Sequence, residues 1–68
     1  MGVLLREIRN AVGVSQQDLS LQLRRGPKYI WRIENAYTEI DLFEFVEIAE
    51  ALGQDPPDLL QELIRRIG

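Results

Sequence analysis

The chain has 68 residues, 46% of them hydrophobic and 28% charged, with a formal net charge of -3. That length supports one small domain, which buries only about 60% of the surface its unfolded chain exposes. Cysteine and histidine are both absent, which excludes disulfides and the usual zinc ligands and removes the commonest acid/base and nucleophile pairs.

Apolar residues recur at helical spacing and strand-like alternation is scarce. A first helix is predicted from about Val3 to Val12, stopped by Gly13, a typical exit residue. Its inward stripe is Leu5, Ile8, Arg9 and Val12. Ser15, with Asp18 three places on, approximates a capping box and starts a second helix that ends near Leu23. Gly26-Pro27 starts the third helix, because proline at the first helical position gives up no needed N–H. Asp41 with Glu44 starts a fourth helix, ending before Gly53, with Leu42, Phe45, Val46, Ala49 and Leu52 buried and Phe43 projecting. Asp55-Pro56-Pro57-Asp58 starts a fifth, combining an acidic cap, a proline and an acid in the first turn. The expected fold is all-α, a compact five-helix domain spanning 1–68. Only Arg24 to Gly26 separate the second and third helices, and so short a turn forces a steep crossing, the geometry of a helix-turn-helix over about 15–35.

Two serines, one threonine and one lysine are the hydroxyl and amine nucleophiles present, and no pair of carboxylates has catalytic or calcium-loop spacing. The expectation is a non-enzyme with no metal and no cofactor. No apolar run exceeds three residues, against the ~20 that a membrane-spanning helix needs. No basic stretch precedes an apolar block at the N-terminus. A cytoplasmic protein without a membrane partner is expected.

The charge is unevenly placed. Residues 1–14 carry +1 and residues 15–37 carry +2, whereas 38–68 hold eight acids against two bases, giving -6. An acidic total argues against diffuse polyanion binding but leaves room for a local basic surface.

At about 100° per residue, Lys28, Arg32 and Asn35 share one side of the third helix, flanked by Tyr29 and Trp31. Ile30 and Ile33 share the other side with Glu34. Arg32 has the fork geometry that matches guanine O6 and N7, and Lys28 can reach the same atoms or a phosphate. Tyr29 can reach a phosphate or pack on a thymine methyl. A plain solvated surface fits the same pattern. Glu34 and Arg9 both lie on apolar sides, and buried charges seek partners, so an Arg9–Glu34 ion pair between the first and third helices is expected. Trp31 is placed either against a sugar-phosphate edge or folded over the loop near Tyr37. The acids Glu44, Glu47 and Glu50 face away from the cationic side, as a solvated helix surface.

The stretches Leu5-Arg6-Glu7-Ile8-Arg9, Gly13-Val14-Ser15-Gln16, Asp18-Leu19, Arg32-Ile33-Glu34-Asn35 and Ile48-Ala49-Glu50-Ala51-Leu52-Gly53 resemble the lambda-repressor-like helix-turn-helix family, the XRE, Cro and phage-repressor type. The resemblance covers roughly residues 4 to 62 without insertion. It implies a sequence-specific duplex-DNA-binding transcriptional regulator of bacterial or phage type, with a recognition helix over 27–35 in the major groove. Gln16 matches a glutamine that bonds a DNA phosphate. Gly26, Pro27 and Lys28 match groove-facing positions, and Arg32 a further base-reading position. Asn35 falls where the following loop meets the backbone. Gln17 and Arg25 complete the expected DNA-binding set of Gln16, Gln17, Arg25, Pro27, Lys28, Tyr29, Arg32 and Asn35. The chain departs from the family at Arg24, where glycine is usual, at Ser20, where alanine is usual, at Pro27, where many relatives have a polar base-reader, and at Trp31, usually a small or polar residue.

The fifth helix presents Leu59, Leu60, Leu63, Ile64 and Ile67 over a wide arc. Part should cap the core, and the rest (Leu60, Leu63, Ile64, Ile67) suits a two-fold interface, as relatives that bind palindromic operators require. A homodimer on duplex DNA is therefore expected. The alternative is an antitoxin or protein-interaction module that uses Trp31, Phe43 and the fifth helix to hold a protein partner.

Overall fold

The structure, a computed structural model, describes residues 1–67. It contains five helices and no strand among those residues: α1 Gly2–Val12, α2 Gln16–Gln22, α3 Tyr29–Glu34, α4 Leu42–Ala51 and α5 Pro56–Ile67. None is long and apolar enough to cross a membrane.

Local chemistry sets most of the boundaries. Ser15 Oγ accepts the Asp18 N–H at 3.0 Å at the start of α2. At α4 the capping box is complete: Asp41 Oδ1 accepts the Glu44 N–H at 2.8 Å, and Glu44 Oε1 accepts the Asp41 N–H at 3.3 Å. Four helix ends share one solution. After α1, α2, α3 and α4 the chain passes through a left-handed residue, Gly13, Arg24, Ala36 or Gly53. The next N–H then reaches back five residues, as Arg25 does to Ser20 at 3.0 Å, Tyr37 to Arg32 at 2.8 Å and Gln54 to Ala49 at 2.9 Å. These are Schellman ends, in which the left-handed residue lets two otherwise orphaned carbonyls be satisfied. Arg24 and Ala36 adopt φ of 59° and 61° without being glycine, a conformation that disfavours a Cβ.

One boundary differs from the sequence expectation. The third helix begins at Tyr29, and Pro27 is not its first residue. Instead the Tyr29 N–H bonds the Gly26 carbonyl at 3.0 Å, and Lys28 sits at φ -99°, ψ 5°. Those angles match the third position of a type I turn, with proline in the second. The same fixed φ suits proline to either role, and here it builds the turn.

The core has two joined parts. Leu5, Leu19, Ile30, Ile33, Ile48 and Leu52 seal α1 to α4 together, and Leu4, Phe45, Ala49 and Leu59 fasten α5 to α1 and α4. Ten buried apolar side chains carry the fold, each worth roughly 1.5–3 kcal/mol for the larger ones. Two helix faces depart from expectation. Leu42 is 67% exposed while Ile48 is fully buried, because Leu42 lies in the first turn of α4, beyond the end of the core. Val12, at the corresponding overhang of α1, is exposed, and Leu4 is buried in its stead. Gly2 marks a close approach: a Cβ there would lie 2.6 Å from the Glu34 carbonyl oxygen, so the start of α1 rests directly on the end of α3. Across the surface Arg66 Nη2 meets Glu7 Oε1 at 2.8 Å, tying α5 back to α1.

Candidate nucleic-acid interface

The position of α3 follows from what it buries. Ile30 is wholly enclosed and Ile33 nearly so, with Glu34 buried beside them. That leaves Lys28, Trp31, Arg32 and Asn35 exposed on the opposite side. Lys28 and Arg32, like Arg24 in the preceding turn, take part in no ion pair among the described residues, unlike Arg6, Arg9, Arg25, Arg65 and Arg66. Two open clefts run along this side. Gln16, Gln17, Pro27, Lys28 and Trp31 line one of about 480 Å³. Arg25, Gly26, Pro27, Lys28, Tyr29 and Arg32 line another of about 320 Å³. The N-terminal part of α2, the turn and α3 therefore form one continuous surface with two unpaired cations at its centre.

Behind this surface a buried carboxylate joins three helices. Glu34 Oε2 accepts from Arg9 Nε at 2.7 Å, and Oε1 accepts from Arg9 Nη2 at 3.2 Å, Gln16 Nε2 at 3.0 Å and Arg6 Nε at 3.3 Å. Arg9 Nη1 donates to the Val14 carbonyl at 2.9 Å. Burial opposes the Glu34 charge and is the largest single influence on it. The hydrogen bonds from Arg9 and Gln16, the Arg9 charge and the Arg6 bond together outweigh burial and hold the carboxyl below its ordinary range. Gln16 thus spends one amide hydrogen inside the domain and retains the other.

Tyr29 is half-buried, and its hydroxyl donates to Glu44 Oε2. Burial pushes the phenol up, and the Glu44 carboxylate adds to the shift. The hydroxyl is engaged with α4 and does not project from the surface, so Tyr29 anchors the first turn of α3. Glu44, expected on a solvated face, closes its own capping box with one oxygen and holds Tyr29 with the other. The Arg25 guanidinium lies over the Tyr29 ring, 5.1 Å from its centroid, with Nη2 3.9 Å from Glu47 Oε1. Asn35 is exposed and donates Nδ2–H to the Trp31 carbonyl at 2.8 Å. Trp31 stacks on Tyr37 with centroids 5.5 Å apart and planes 10° from parallel, yet stays 42% exposed beside Lys28.

Three contributors escaped the sequence reading. Arg6 precedes Arg9 by three residues, so helical spacing puts both on one side of α1, where both reach Glu34. Ser20, fully buried, donates to the Gln16 carbonyl at 2.8 Å and accepts the Ile30 N–H at 3.0 Å, bridging α2 to α3. Glu44 carried no local sign of its distant partner Tyr29. On α5, Leu59 is buried in the core and Leu63 packs partly against it while still lining an open groove, whereas Leu60, Ile64 and Ile67 are exposed.

Comparison with known proteins agrees with this architecture. Among solved structures, the chain is similar to the clp gene regulator ClgR from C. glutamicum, with a TM-score of 0.84 and 27% identity over 98% of this chain and 87% of that one. No curated protein sequence matches it. A family model described as a helix-turn-helix domain matches residues 1–63. That span takes in α1 through most of α5 and every residue that builds the α2–α3 joint, and the chain belongs to the helix-turn-helix domain family.

Proposed function

We propose that the protein is a sequence-specific duplex-DNA-binding transcriptional regulator of bacterial or phage type, acting in the cytoplasm. The observation that carries this reading is the exposure of Lys28 and Arg32, both without an ion-pair partner among the described residues, on the side of α3 opposite its buried isoleucines. In the proposed complex the 27–35 segment enters the major groove. Arg32 and Lys28 read base edges, where one bidentate contact is worth about 1–3 kcal/mol of discrimination. Pro27 offers apolar contact, and Tyr29 steadies the helix from its α4 side. Gln16, Gln17, Arg25 and Asn35 hold phosphates, Gln16 through its remaining amide hydrogen. The likeness to a gene regulator supports the same reading.

A homodimer on a palindromic operator completes the proposal. Leu60, Ile64 and Ile67 are exposed on α5. Beside them lies a groove of about 580 Å³ lined by Ile40, Leu42, Phe45, Leu60 and Leu63. A second copy seated there would cover this apolar area and set two recognition helices on one duplex. A protein-interaction role is the second reading, favoured by Phe43, which is 83% exposed at the start of α4.

Selection from a random duplex library, followed by fluorescence anisotropy across a salt series, tests the main reading. A recovered consensus, steep weakening with salt, and an Arg32→Ala loss confined to one base position support it. Indifference to every duplex, with a protein partner retained on purification, favours the second reading. Sedimentation at micromolar concentration tests the dimer, and a clean 7.9 kDa species would exclude it.

A further inference from the structure

The proposed interface, as drawn from α2 and α3, leaves out an arginine that the structure sets at its edge. Glu34 Oε1 collects three donors from three places: Arg9 Nη2, Gln16 Nε2 and Arg6 Nε. Arg9 is buried, and its remaining terminal nitrogen is taken by the Val14 carbonyl. Arg6 is different. Half of its side chain is exposed, and only Nε is engaged, so both terminal nitrogens lack a partner among the described residues. Glu34 does not need Arg6 to be satisfied, because Arg9 already binds both of its oxygens and Gln16 adds a third bond.

What Arg6 gains from Glu34 is placement. Its Nε is fixed on the same carboxylate oxygen that fixes the Gln16 amide, so the Arg6 guanidinium and the Gln16 side chain converge on one point at the border of α1 and α2. Gln16 in turn lines the cleft shared with Gln17, Lys28 and Trp31. The local charge is also right: one carboxylate faces two guanidinium groups, leaving a positive excess on the exposed side. A planar fork of N–H donors beside an amide N–H matches the paired oxygens of a phosphodiester. With its Nε already held, the side chain has less rotamer freedom left to lose on binding.

We infer that Arg6 is a phosphate-binding residue of this surface, acting with Gln16 as a clamp pre-set by Glu34 and extending the interface from α2 and α3 onto α1. The inference rests on the duplex-binding reading given above.

The test uses a duplex recovered by the unmodified protein, with affinity measured by anisotropy across a salt series and folding followed by circular dichroism. Arg6→Gln should make the slope of log Kobs against log salt shallower by about 0.9, the value for one phosphate, with the preference among base sequences unchanged. Arg6→Lys should restore the slope, since it keeps the charge. An unchanged slope in Arg6→Gln, even with a lower melting temperature, would make Arg6 a structural donor only and overturn the inference while leaving the duplex-binding reading intact. Failure of the unmodified protein to bind any duplex would overturn both. Should Arg6→Gln not fold, the guanidinium NMR signals of Arg6 in the unmodified protein decide. They shift on duplex addition if the inference holds and stay still if it does not.

Discussion

The Ser20 hydroxyl accepts the backbone N–H of Ile30 at 3.0 Å while donating to the Gln16 carbonyl at 2.8 Å. It acts as a helix cap supplied from another helix. Lys28, at the N-cap position of α3, makes no side-chain cap bond, so Ser20 satisfies one of the first-turn donors that the helix leaves open. Because Ser20 is fully buried, no water can replace it.

Ser20→Ala should therefore strand the Ile30 N–H and cost about 1–3 kcal/mol. In a domain of this size that lowers the melting temperature by roughly 4–8 °C per kcal/mol. Thermal unfolding gives the total, and amide exchange localises it. Ile30 should exchange faster relative to Ile33, and equal acceleration of both would count against the bond.

Ala36 closes α3 at a φ of 61°. A Cβ in that conformation costs about 1–2 kcal/mol, and the greater freedom of glycine in the unfolded chain returns part of it. Ala36→Gly should raise stability by about 0.5–1 kcal/mol. Urea unfolding should show a higher midpoint at constant m, and a lower midpoint would refute the strained cap.

The Glu34 carboxyl is held below its ordinary range in the fold. A group depressed in this way contributes fully above its unfolded value, about 4.3, and loses that contribution as pH falls through it towards the folded value. Glu34→Gln removes the effect and leaves the Arg9 charge buried without a counterion, costing about 3 kcal/mol or more at neutral pH. Its stability should also fall less steeply than that of the unmodified protein below about pH 5. Parallel acid-unfolding curves would contradict this account.

Trp31 is the single tryptophan, and it lies stacked on Tyr37 beside Lys28. Its emission is therefore a built-in reporter of the cationic side of α3. Adding bound duplex should change the emission intensity and reduce quenching by iodide. Binding without either change would place the duplex on another surface.

Helix ends were legible in the sequence because caps are local. Ser15, Asp41, Gly13 and Gly53 each do at the backbone what their residue type allows. The alternation around α3 was equally legible, since Ile30 and Ile33 against Lys28 and Arg32 is a matter of angular spacing alone. What escaped depends on choices that the local pattern leaves equal. Pro27 fits the turn and the helix start equally well. Leu42 has the right angular place but sits one turn beyond the core. Tyr29 reads as an exposed aromatic until Glu44, fifteen residues away, is brought within hydrogen-bonding distance. Ser20 looks like a small packing residue, and only the close approach of α3 gives its hydroxyl a partner.

The central claim is that the exposed cationic side of α3 is the surface that meets DNA. Backbone-amide NMR of labelled protein, titrated with a duplex that it selects, tests this most directly. The account predicts shifts concentrated at Gln16, Gln17, Lys28, Trp31 and Arg32, with Glu50 on α4 and Gln54 in the connection to α5 unmoved. Shifts centred on Phe43 and Glu47, with Lys28 and Arg32 silent, would contradict it.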